Sequence, residues 1–120
     1  TCYNSYNEKR ERETHMTYIV TDTNLATEFK TMNNLFFGNF LELDALEVDD
    51  LDTEWGFCVD DDDEWVLGVT REFPTKKAFQ ETLLHEMVHL FQLNADMPVD
   101  HDETFFEWCD VFLKEGFDVD

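Results

Sequence analysis

Four residues in one short stretch have the types and spacing to do chemistry together. The stretch LLHEMVHLFQLNADMPVDHDETF, residues 83–105, carries His85, Glu86 and His89 on an otherwise apolar segment, with His101 beyond a polar loop. At about 100° per residue, Ala78, Thr82, His85, His89 and Gln92 fall on one narrow stripe of a helix, with Glu81 at its edge. Phe79, Leu83, Leu84, Met87, Val88, Leu90 and Phe91 fill most of the remaining circumference. The i, i+4 spacing stacks the two imidazoles on consecutive turns, where they can point at a common centre. This is the HExxH arrangement, in which two histidines hold zinc and the glutamate serves as general base on a bound water. Neutral imidazoles leave the metal most of its charge, and that charge lowers the water pKa toward roughly 7. Glu86 has to stand beside the ligands without being one, so that it can accept a proton and pass it to the leaving amine. A lone histidine on such a face is usually a core residue bonded to a backbone carbonyl. Three residues at this spacing, on the one polar seam of an apolar helix, point to zinc instead.

Two protein ligands do not complete a zinc site, and the candidates downstream are His101, Glu103 and Glu107. Gln92 and Ala95 stand where a metzincin would have glycine and histidine, which excludes that pattern. Phe105, Phe106, Trp108, Cys109, Phe112 and Leu113 make one apolar stripe on the last helix, with Glu103, Glu107, Asp110 and Lys114 opposite. If the stripe packs inward, Glu107 faces solvent. His101 is separated from His89 by eleven residues, enough for the chain to turn back over the seam, and it is the expected third ligand.

The elements that must position these residues can be read around them. DTNLATEFKTMNNLFFG, from Asp22, offers a polar cap, then Leu25, Phe29, Met32 and Phe36 at helical spacing, with Gly38 as a stop. FLELDALEV (40–48), EWGFCV (54–59) and EWVLGVT (64–70) read as strands, and DDDDE (60–64) as the tip of a hairpin. That acidic run lacks the glycine turn and distant glutamate of a calcium loop, so a solvated turn is expected there. Thr75 caps the central helix, which runs to about Leu93. Asp102, Glu103 and Thr104 open a last helix that Gly116 can end. Helix, three strands, helix, helix gives an α+β layout with a small antiparallel or mixed sheet.

The chain has 120 residues, enough for one domain, with twelve phenylalanines and three tryptophans to fill a core. Trp55 and Trp65 are expected in that core. Residues 1–17 are a polar arm in which His15 has no assigned role, and residues 18–120 are the folded domain. A net charge of −21 repels polyanions and argues against direct nucleic-acid binding, while it could attract cations or a basic protein partner. Cys2, Cys58 and Cys109 form no CxxC, and free thiols in a reducing compartment are expected. No apolar run approaches a membrane span, and TCYNSYNEKRERETH has no signal-type segment, so the expectation is a soluble cytoplasmic protein.

HEMVH, followed by a histidine and then by aromatics opening a helix, resembles the SprT-like zinc metallopeptidases, which include the Spartan proteases. MNNLFFGNF is similar to their helix ending in an aromatic and glycine before a first strand. EWGF is similar to the Trp-Gly of their second strand, and TLLHEMVHLFQ to their active helix. The resemblance spans roughly residues 23–115. HDETFF carries Asp102 where the family has a glycine after its third ligand, and the zinc ribbon or DNA-binding segments of many members do not appear. It implies a zincin-like minimal core hydrolysing peptide bonds with one zinc ion. It also implies a substrate strand added to the sheet edge beside the active helix, for which Trp65, Val66, Leu67, Gly68 and Val69 are the candidate strand, an ordinary interior strand being the other reading of the same residues. Two other readings stand beside the endopeptidase. One is a zinc-stabilised interaction domain without catalysis. The other is an acidic nucleic-acid mimic that binds a basic partner.

Overall fold

A computed structural model describes residues 18–119. The polar arm expected over residues 1–17, with Cys2 and His15, lies outside the described residues, as does Asp120. The chain folds as an α+β domain with three helices and a small mixed sheet among the described residues. In chain order these are β1 (Tyr18–Ile19), α1 (Asp22–Phe37), β2 (Ala45–Asp49), β3 (Gly56–Asp61), β4 (Glu64–Thr70), β5 (Glu72–Phe73), α2 (Lys76–Asn94) and α3 (Glu103–Lys114).

Capping chemistry sets the helix limits. The Thr21 hydroxyl accepts from the Asn24 amide at 3.1 Å, and Gly38 ends α1 at φ 59°, a left-handed conformation that suits glycine. Thr75 caps α2 by accepting from the Ala78 amide at 3.0 Å. At the end of α3 the Phe117 amide donates to Phe112 and the Gly116 amide to Leu113, with Gly116 at φ 90°. That is the Schellman pattern, which satisfies carbonyls the helix leaves open.

In the three-stranded sheet the order is β2-β4-β3, with β2 parallel and β3 antiparallel to β4. Asp62 and Asp63 connect β3 to β4, both at positive φ, as a two-residue hairpin turn requires. WVLGVT is therefore the central strand, hydrogen-bonded on both sides, and not the sheet edge expected for substrate. Its buried residues Val66–Thr70 explain this, because a near-continuous apolar run marks a strand covered on all sides. The edges belong to β2 and β3.

Two further expectations change. The first long strand begins at Ala45 rather than Phe40, because the backbone of Leu41 and Glu42 bonds to side chains instead of a neighbouring strand. The buried Asn33 amide donates to the Leu41 carbonyl and accepts from the Leu41 amide, both at 3.2 Å. Asn94 donates to the Glu42 carbonyl at 3.1 Å and accepts from the Glu42 amide at 2.7 Å. The apolar stripe of α3 is also narrower than expected. Phe105 and Phe112 are buried and Trp108 and Cys109 half-buried, whereas Phe106 and Leu113 are more than half exposed. The short pair β1–β5 was not foreseen; two-residue strands carry no periodicity to read.

One core holds these layers together. Leu67 and Val69 of β4, Leu25, Phe29 and Met32 of α1, and Leu83, Leu84, Met87, Val88 and Leu90 of α2 form a single buried cluster. Trp55 and Trp65 pack against it, Trp55 stacking on Phe73 at 5.2 Å, in accord with their expected core role. The helix α2 is buried almost all round, which fixes its rotation and therefore the direction of its polar seam.

Candidate metal centre

The seam of α2 supplies His85 and His89, both 7% exposed, and the loop between α2 and α3 folds His101 back over it. One ligand atom from each of the three lies within 4.8 Å of the others. The Nε2 atoms of His89 and His101 approach to 3.1 Å. Two tetrahedral nitrogen ligands at roughly 2.0–2.1 Å from zinc stand about 3.3 Å apart, so the spacing fits such an ion. Among the described residues no carboxylate or thiol joins this group. Glu103 and Glu107, the competing candidates, are exposed on α3.

What holds the loop in place is Gln92, which is fully buried. Its Oε1 lies 2.8 Å from His89 Nδ1, and its Nε2 donates to the Asp100 carbonyl at 3.0 Å. With Nδ1–H donating to this oxygen, Nε2 of His89 is left as the free lone pair, the tautomer a metal needs. The same side chain ties the helix to the residue preceding His101. Sequence reasoning placed Gln92 on the polar stripe but gave it no task.

Phe105, at the start of α3, is the other unforeseen contributor. Its ring lies 4.9 Å from His85, 5.4 Å from His89 and 4.6 Å from His101 between centroids, touching all three imidazoles. Asp102, which takes the place of a glycine in the resemblance, sits at φ −93°, where any residue is comfortable. Its carboxylate accepts from the Thr104 amide at 3.0 Å and caps α3 directly after His101.

Glu86 follows His85 on the helix and is 5% exposed. Burial, with the charge of Glu54 second, pushes its carboxyl up to about 8. Gly56 of β3 makes room for it: a Cβ there would stand 3.1 Å from Glu86 Cγ, 3.1 Å from Thr82 Cγ2 and 2.9 Å from the Gly68 carbonyl. Burial lowers the pKa of His89, opposed in part by its bond to Gln92, and so favours the neutral imidazole. Cys58, on β3, is a free thiol pushed up to about 12 by burial and then by Glu86, and it lies outside the donor group. Cys109 likewise forms no disulfide among the described residues.

Compared with known proteins, the chain is matched by no family model and, significantly, by no curated protein. The site must speak through its own geometry. None of the helices in the described residues is long and apolar enough to cross a membrane.

Proposed function

We propose that the protein is a zinc-dependent endopeptidase with a minimal zincin-like core of the SprT type. The observation that carries this reading is the convergence of His85, His89 and His101 within 4.8 Å, one residue from a buried glutamate that is not among the ligands. His85, His89 and His101 would hold one zinc ion. When bound, the ion supplies Lewis acidity that polarises a carbonyl and acidifies water. Glu86 accepts a proton at its carboxylate and returns it to the leaving amine, a cycle suited to a group whose surroundings raise its proton affinity. Gln92 keeps the His89 ring in one tautomer and orientation, and Phe105 excludes water from beneath the three imidazoles.

The alternative of a purely structural zinc fits less well. Structural sites are closed by four protein ligands, whereas three donors gather here among the described residues and His101 is exposed. That leaves a position open toward solvent.

The test is metal-dependent cleavage of an unfolded protein substrate. Cleavage should stop on chelation and return when zinc is restored in equimolar amount. Activity that persists in the chelated protein, with its metal shown to be removed, would rule the reading out.

A further inference from the structure

We propose that the site takes a cationic substrate, an extended Lys- or Arg-rich segment laid along the free edge of β3 and held at either end by Glu54 and Asp60. This rests on the peptidase reading and narrows it to a substrate class.

The first support is the position of the edge. Among the described residues β3 is hydrogen-bonded only to β4, so its other row of backbone amides and carbonyls is available to an incoming strand. That edge begins at the metal centre, since Gly56 lies against Glu86 and Thr82. Glu86 is 5% exposed and receives no hydrogen bond from the described residues, so an unpaired carboxyl waits where the edge starts. The pleat turns Gly56, Cys58 and Asp60 to the helix-bearing side, where Gly56 and Cys58 pair with the core residues Val69 and Leu67. Asp60 therefore projects on the side of the metal, about 13 Å along the strand from Gly56. Glu54 stands at the other end, exposed and two residues before Gly56.

Charge is the second support. Residues 54–64, which span β3 and its flanks, hold six carboxylates and no lysine, arginine or histidine. Glu54 and Asp60 to Glu64 are exposed, and Arg71, the next cation along the chain, is held by Asp50 at 3.0 Å. Edge strands are commonly blunted with lysine, which here would have repelled a basic segment. An edge whose only charges are acidic instead excludes acidic chains and draws basic ones, by a field that salt screens over about 10 Å at 0.1 M.

The experiment compares two short fluorescent peptides of equal length, one Lys/Arg-rich and one with those positions changed to glutamate. Anisotropy would be read on the zinc-loaded Glu86→Gln protein, and cleavage on the zinc-loaded parent. The basic peptide should bind about tenfold or more tighter at low salt, with the advantage shrinking as salt is added. Glu54→Gln with Asp60→Asn should remove most of that advantage. Asp110→Asn with Glu115→Gln, which deletes the same charge from the exposed face and end of α3, should keep it. Equal binding of both peptides, or equal losses from the two double variants, would overturn the inference. So would cleavage by the parent without charge preference, which leaves the peptidase reading standing. Selective binding of the basic peptide without any cleavage would support the acidic edge as a binding site and overturn the peptidase reading.

Discussion

At the scale of single residues, the ligand set makes unequal demands on its neighbours. His101→Ala should weaken zinc retention far more than Glu107→Ala, because Glu107 is exposed on α3 and outside the donor group. Equal losses in a competitive chelator titration would contradict the assignment. Gln92→Ala should cost about 10–100-fold in zinc affinity, the range for removing an outer-shell partner. Glu86 gives a pH signature. Its carboxyl is raised from 4.5 to about 8 in the metal-free fold, so the folded state holds the extra proton between those values. Its contribution to stability is thus favourable below about 4.5 and is lost as the pH rises to about 8. In chelator, Glu86→Gln should melt at least about 4 °C above the parent at pH 8.5, with the gap nearly closed at pH 5. A gap independent of pH would show that burial does not govern this group. His85, Glu86 and His89 were legible because helical spacing alone puts them on one seam. The task of Gln92 was not, since it depends on where the following loop places the Asp100 carbonyl.

At the scale of elements, caps and hairpin turns were legible because they are local. Thr75, Gly38, Asp102 and the Asp62–Asp63 turn each act within a few residues of themselves. The place of β2 in the sheet was not legible, because it pairs with a strand far from it in sequence. The DDDDE tip joins FCV to WVLGVT as a hairpin, but periodicity cannot say that LEV pairs on the other side. The early limit of β2 was hidden for a similar reason, since Asn33 and Asn94 reach it from two different helices. Close approach of β3 to α2 yields a prediction at this scale. Gly56→Ala places a methyl 2.9 Å from a carbonyl oxygen and 3.1 Å from Glu86, and should cost about 1–3 kcal/mol in denaturant unfolding. A neutral substitution would mean that sheet and helix are less closely fitted than they stand here.

At the scale of the whole molecule, a net charge of −21 sets long-range repulsion against a small core. Screening relieves that repulsion, so the melting temperature should rise between low and moderate sodium chloride; a fall would show that specific ion pairs dominate instead. Arg71–Asp50 is exposed and contributes little to that balance. The same charge makes the acidic side of the sheet the face that a basic chain meets first, next to the helix that carries the histidines. The central claim, that three histidines and one glutamate make a hydrolytic centre, is tested most directly by one paired measurement. Zinc content and cleavage of an unfolded protein are determined side by side for the parent and for Glu86→Gln. Both proteins should hold one zinc ion per chain, and only the parent should cleave. A Glu86→Gln protein that carries its zinc and cleaves as fast as the parent would contradict the account.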